Sequence, residues 1–383
     1  MTPGPDPSGT VVHEVRWSDA LPWWLLFRAA GSAFSPTVVL LAALGAVATW
    51  AGWSAADQLG LASVAGPSDG GLVLPAVGGQ ATALPAPSRI SVPWLYAVAG
   101  RLPQPLADVA ALVGVPFRPT ATLEQVAGAL ARIGWFVLVW SIFGTGITRH
   151  VALRLVGEEA PGPVGATLFG SRKWVSAFNS VVFVLAGIAA LSVPGALLGL
   201  GMRTDWGLAF AGAIWPLVLL GALVLAILAV GLVAGWPLMV AAVGVERGDS
   251  FQAISTAFSY LYQRPLHYAF YAAVALAIAV PALAVAGLFA DATSELAMWA
   301  ASFGMGHERT VAVIDGVAGA GGTAAEWGTE AIRFWNRGLA TLLSSFGWGY
   351  FWAIATAAYL LLRRDVDGTE LDEVVIDEPG AEG

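Results

Sequence analysis

From Trp206 to Val245 the chain runs for 40 residues without one Asp, Glu, Lys, Arg or His. The hydrocarbon core of a bilayer is about 30 Å thick, and a helix crosses it with roughly 20 apolar residues. This run is longer than one crossing needs. Pro216 and Pro237 stand within it, where a proline kinks a helix or trims its end. No charged turn divides the run, so it reads as one long, tilted helix.

Five more apolar stretches accompany it. They are PTVVLLAALGAVATWAGW from Pro36, VAGALARIGWFVLVWSIFGTGI from Val126, and the segments Trp174–Gly199, Pro265–Phe289 and Leu339–Leu362. The sequence therefore predicts an all-α polytopic membrane protein, a bundle of six transmembrane helices with interfacial amphipathic helices. Hydrophobic residues make up 57% of the chain and charged residues 11%, against about 25% charged in a soluble domain. The 17 Trp residues fit anchors at two lipid–water boundaries.

The predicted organisation has three parts. Residues 1–33 form a cytoplasmic tail and an interfacial helix, Trp17–Gly31, with Ser18 near its N-cap and Arg28 breaking its apolar run. Residues 34–364 form the six-helix domain, with extracytoplasmic segments at 56–122 and 291–336. Residues 365–383 form an acidic, disordered cytoplasmic tail. The first fifteen residues contain no Lys or Arg, so the positive region of a cleavable signal peptide is missing and the first apolar segment is expected to stay as an anchor.

Charge sets the expected threading. The net charge is −8, from 26 acids and 18 bases. Eight of the acids follow Arg364 and no base does, so the body is balanced. Arg16, Arg28, Arg149, Arg154, Arg172, Lys173, Arg247, Arg264, Arg363 and Arg364 flank the spans on one side, and the short opposite loop offers Arg203. Bases mark the cytoplasmic side, which predicts a multi-pass protein with both termini inside. Lys173 is the only lysine, and with the Ala, Gly and Val excess this points to a GC-rich bacterial genome and its inner membrane.

GDSFQAISTAFSYLYQRP, Gly248–Pro265, carries a helical rhythm between two spans. Asp249 or Ser250 caps the helix, with Gln252 as capping-box partner. Phe251, Ile254, Phe258, Leu261 and Tyr262 share one face, expected to lie down in the interface while Ser255, Thr256 and Ser259 meet water. Pro265 ends it after Arg264. This is a connecting helix by the plainer reading, and by the sharper one a docking helix for a cytoplasmic partner, presented by Asp249, Ser250, Phe251, Ile254, Phe258, Leu261 and Arg264. EEAPGPVGATLFGSRKWVSAF has a similar plan, so the two hairpins read as repeats.

GDSFQAISTAFSYLYQRPLHYAFY resembles the loop-and-span motif of several bacterial six-helix membrane families of unknown function, among them the membrane domain attached to some glycerophosphodiester phosphodiesterases. Gly248, Ser250, Ala253, Phe258 and Arg264 match that pattern. TRHVALRLVGEE followed by ATLFGSRKWVSAF is similar to membrane proteins of uncertain role common in planctomycete-like bacteria. The likeness covers the middle third of the chain. The catalytic phosphodiesterase domain has no counterpart here, so that activity does not carry over.

Catalytic signatures are missing. There is no cysteine, no H-E-x-x-H, no G-x-S-x-G turn and no P-loop lysine, and the four His residues at 13, 150, 267 and 307 stand far apart. GVAGAGGT lacks the preceding strand that a dinucleotide site requires. No ionisable residue falls near a predicted midplane; Arg132, His150 and His267 sit towards span ends. Ser176, Asn179 and Ser180 form a candidate intramembrane polar cluster, and Gly195-x-x-x-Gly199 and Gly231-x-x-x-Gly235 allow close helix approach. The expectation is a scaffold or accessory protein of a membrane complex, with no enzyme activity, cofactor or metal. The alternative is a permease or channel-like subunit for a neutral or lipid-like substrate. Expected partners are the bilayer, other complex subunits or a second copy, and no nucleic acid.

Overall fold

The computed structural model describes residues 21–61, 109, 112–118, 120–319 and 326–369. Secondary structure among them is helical, with no strand. Ten helices are numbered here: α1 (Leu25–Ala33), α2 (Pro36–Gln58), α3 (Leu123–Val156), α4 (Pro163–Gly201), α5 (Asp205–Ala213), α6 (Trp215–Glu246), α7 (Ser250–Gln263), α8 (Pro265–Met305), α9 (His307–Ala318) and α10 (Glu326–Asp367). Six of them, α2, α3, α4, α6, α8 and α10, are long and apolar enough to cross a membrane. In lipid only a helix or a closed barrel pairs every backbone polar group internally, so the chain is an all-α multi-pass bundle. Ser18, the expected cap of the first helix, lies outside the described residues.

At one end, called here the polar end, α2, α4 and α8 begin and α3, α6 and α10 finish. α10 is the central helix: 89% of its most apolar 18 residues lie inside the protein, against 6% for α6. α1, α2, α3, α6 and α8 pack around α10, and α4 lies outside against α3 and α6. Apolar helices gain little by leaving lipid for one another, so they associate by close packing and interhelical hydrogen bonds. α3 supplies the closeness. A Cβ on Gly170 of α4 would stand 2.0 Å from the carbonyl oxygen of Ile142, one on Gly146 of α3 2.6 Å from that of Ala166, and one on Gly144 2.8 Å from the Trp352 ring.

The aromatic interior sits at this crossing. Trp140 and Trp348 rings are 4.9 Å apart, Trp236 and Trp352 5.2 Å, and Phe136 lies 5.4 Å from both Trp236 and Trp348. Edge and tilted stacking holds such rings. These four Trp residues therefore fill the core instead of anchoring lipid boundaries. Indoles do serve the α2–α3 hairpin at the opposite end, where Trp135 Nε1 donates to the Ala48 carbonyl at 2.8 Å and Trp53 Nε1 to that of Arg132 at 3.1 Å. Arg132 pairs there with Asp57 at 2.6 Å.

Several boundaries differ from the sequence reading. The Trp206–Val245 run is divided: α5 ends at Ala213, and α6 starts at Trp215 with Pro216 in its first turn. A proline suits a helix start because its missing N–H has no partner there. α4 begins at Pro163, so the amphipathic piece expected in the 158–173 break is continuous with the third span. No breaker separates Phe169 from Trp174, whereas Pro265 does separate α7 from α8. The two loops are therefore built differently despite their similar plan. α8 runs past Phe289 to Met305, and α10 starts at Glu326, well before Leu339. Pro281 is absorbed inside α8, and Gly306 at φ +73° ends the helix. At about 1.5 Å per residue, α4, α8 and α10 at 39, 41 and 42 residues are each close to 60 Å long.

The Gly170 contact gives a test. Gly170→Ala lowers the thermal unfolding midpoint of the purified protein in detergent, at an overpacking cost of about 1–3 kcal/mol. Gly187→Ala, where a Cβ meets nothing within 4 Å, leaves the midpoint unchanged or raises it by up to about 1 kcal/mol through helix propensity. Equal effects of the two changes contradict the close α3–α4 contact.

Candidate functional site: the polar end of the bundle

Glu246 is the last residue of α6. A carboxylate there faces the negative end of its own helix dipole, so it needs donors from elsewhere. Two arrive, the Tyr359 hydroxyl from α10 and Gln252 Nε2 (2.9 Å) from α7, and Arg363 Nε of α10 forms an ion pair with it at 3.4 Å. The side chains of Glu246 and Arg363 are 16% and 15% exposed. The acids at the end of α10 are held in the same way. Tyr260 of α7 donates to Asp367, and Tyr271 of α8 donates to Asp365 at 2.7 Å. Three helices are thus fastened to the end of the central one. Tyr260 is 1% exposed, and burial, with the Asp367 hydrogen bond adding to it, pushes its hydroxyl well above the usual tyrosine range. It stays a donor throughout the neutral range.

A second group surrounds the end of α3. Arg149, 2% exposed, reaches towards the Val245 carbonyl. Its guanidinium lies 5.3 Å from the centre of the Phe169 ring, and that of Arg247 lies 5.9 Å from the same ring. Lys173 Nζ donates to the Arg247 carbonyl at 2.7 Å. Arg247 closes α6 in the left-handed region at φ +60°, the one described non-glycine residue with positive φ. Arg28 donates to the Leu155 carbonyl at 2.8 Å, capping α3 with a cation. His150 bridges Pro161 O (2.8 Å) and Ser35 Oγ (3.2 Å). Since a carbonyl only accepts, His150 Nδ1 carries a proton.

The predicted docking helix forms, and it packs on α6 through its small residues. Asp249 caps α7 through its side chain, accepting from the Gln252 N–H at 2.8 Å. The Gln252 amide nitrogen goes to Glu246, so the side chain serves the network instead of closing a capping box. Ser250, Ala253, Ala257, Tyr260 and Leu261 are buried, Ile254 and Phe258 are half-buried, and Phe251 is 67% exposed. The reason is size. Small residues let α7 fold back closely along α6, where the Phe258 ring covers Gly231 and Ala257 faces Gly235. The large aromatics take the rim: Phe251 stacks on Phe183 at 4.9 Å, and Tyr262 donates to the Ile227 carbonyl. Arg264 is exposed at the α7–α8 corner.

Of the other candidates, Ser180 is buried and bonds the Ala177 carbonyl of its own helix at 2.7 Å, while Ser176 and Asn179 are half-buried on α4. Deeper in the bundle, Ser141 Oγ, Thr145 Oγ1 and the indole N–H groups of Trp140, Trp236 and Trp352 are buried without a hydrogen-bond partner. Sequence reasoning missed the Glu246, Tyr260, Tyr271 and Tyr359 network. Glu246 ends α6 while the tyrosines lie one to two turns inside their helices, and each partner comes from another helix. Among the described residues, no group of three or more His, Asp or Glu is placed to hold a metal ion.

No protein family, curated protein or solved structure matches the chain. The likeness noted in the sequence therefore rests on the residues quoted for it.

Removing the Tyr260 hydroxyl leaves Asp367 without this donor. Tyr260→Phe is expected to cost about 1.5–3 kcal/mol, as for a hydrogen bond to a charged group, read as a lower unfolding midpoint in detergent. Tyr262→Phe, at a 42% exposed position, costs less. A smaller loss in Tyr260→Phe than in Tyr262→Phe contradicts the fastening role.

Proposed function

We propose that this is a non-catalytic accessory or scaffold protein of a complex in the bacterial inner membrane, with the polar end on the cytoplasmic side. The observation that carries the reading is the unequal use of its apolar surface. Around α10 the helices are sealed together. The α4–α5–α6 arm beyond the aromatic core is bare: Leu197 is 62% exposed, Phe210 61%, Leu217 67% and Leu220 61%. That arm has the apolar surface needed to receive helices of other subunits within the bilayer. The expected partners are such subunits or a second copy, besides the lipid itself. The basic flanks at the polar end support the orientation, because cytoplasmic loops carry the excess of Lys and Arg.

The chain has no cysteine, so single reporters read cleanly. A photoreactive residue at Leu197 or Leu220 is expected to cross-link a protein in native membranes, while one at Phe251, stacked within its own chain, does not. Cross-links to lipid alone at both arm positions count against the scaffold. Reporter fusions at Gly70, Gly248 and Gly383 should read outside, inside, inside; any other pattern removes the orientation.

A permease for a neutral or lipid-like substrate is the second reading. It is favoured by Pro194, Pro237 and Pro281 inside α4, α6 and α8, by α7 folded back on α6, and by the unpartnered Ser141 and Thr145 hydroxyls. Ser141→Cys separates the two readings. Labelling by a water-soluble maleimide in membranes supports a permeation path, and protection supports the scaffold.

A further inference from the structure

We propose that the acidic C-terminal tail docks on the polar end of its own chain, with Leu371–Glu378 lying across a basic and apolar strip on α4. The inference does not depend on the scaffold reading.

Three observations meet here. The first is charge. Among the described residues the polar end carries nine bases and six acids; of the bases near α4, Arg172 is exposed and Lys173 and Arg247 are half-buried, while Arg149 is buried. The guanidiniums of Arg149 and Arg247 both lie near the Phe169 ring, inside the strip. The chain beyond Gly368 carries six acids and no base.

The second is the sequence of that segment. LDEVVIDE places Val374, Val375 and Ile376 between two acidic pairs. A tail built only to stay solvated has few β-branched residues. Three in a row favour an extended segment with an apolar side to bury. The structure offers a matching strip. Val164, Leu168 and Val175 are 81%, 49% and 46% exposed on α4, with exposed Arg172 among them. Spacings of four, four and three residues put all four side chains on one helix face.

The third is where the tail starts. Asp367 is held by Tyr260, and Arg363, one turn earlier, lies 3.4 Å from Glu246, the neighbour of Arg247. Gly368 at φ +68°, its N–H on the Arg364 carbonyl, ends α10 with a left-handed cap that redirects the chain. An extended residue spans about 3.4 Å, so a few residues bring Glu370 and Asp372 towards the basic corner. Tethering also gives the tail a high effective concentration there.

The absence of native cysteine makes the test direct. In the full-length protein purified in a neutral detergent, Leu168→Cys combined with Val375→Cys should form an intramolecular disulfide under mild oxidation. The rate should exceed that of Leu168→Cys with Ala381→Cys by about tenfold, a difference of about 1.4 kcal/mol. Salt at about 1 M, where the screening length falls to about 3 Å, and Arg172→Glu should each slow it. Both cysteines replace exposed or tail residues, so folding is not at stake. Equal rates for the two pairs, or indifference to both salt and Arg172→Glu, overturn the proposal. So do a disulfide-linked dimer, which assigns the strip to another copy's tail, and loss of the cross-link in nanodiscs of anionic phospholipid but not in neutral ones, which assigns the basic corner to lipid headgroups.

Discussion

The close approach of α3 to its neighbours underlies the rest of this molecule. Surrounded by hydrocarbon, one apolar helix has no solvent-driven reason to leave lipid for another. Contact has to come from shape, and α3 provides it with glycines at 144 and 146, over which the Trp352 ring and the α4 backbone settle. Once α4 and α10 are drawn in, Trp140, Trp236, Trp348 and Trp352 interlock around Phe136. The same packing brings the ends of α6 and α10 side by side, which is what lets Glu246 find Arg363 and Tyr359.

Polar bonding then divides the molecule into two unlike halves. At the polar end, carboxylates at the ends of α6 and α10 take donors from α7, α8 and α10. Loop carbonyls are also supplied, by Arg28, Lys173 and His150. Away from it, α4, α5 and α6 show their apolar side chains outward. At the far end α9 folds back on α10, where Arg333 donates to the carbonyls of Gly316 and Val317. The proposed accessory role follows from this division: one half is closed on itself, and the other has surface to share.

Length and hydropathy were enough to read six helices, because a bilayer crossing leaves a long, charge-free record. Their limits were harder to read. Pro216 starts a helix and Pro281 sits inside one, and the residue alone does not say which. The two small-residue motifs show the same gap. Gly231 and Gly235 face α7 closely, whereas a Cβ on Gly195 or Gly199 meets nothing within 4 Å, since close approach depends on a neighbour that local pattern does not name. The cap at Asp249 was legible, being a bond within three residues. The face that α7 turns to α6 was not legible, because Ala253 and Ala257 go inside against a neighbour that the local pattern does not name, while Phe251 stays at the rim. Tyr260 and Tyr271 left no trace, their partners lying about a hundred residues away along the chain.

The fastening of α10 at one end has a mechanical consequence. Sliding this helix along its axis by a single turn, about 5.4 Å, would pull Asp365, Asp367 and Arg363 off their partners on three different helices together. Such a slip is a cooperative rupture, not a gradual drift. The opposite ends of α4 and α6 carry no comparable set of bonds among the described residues. The far ends of those two rods therefore lie outside the lock that holds α6 at its polar end.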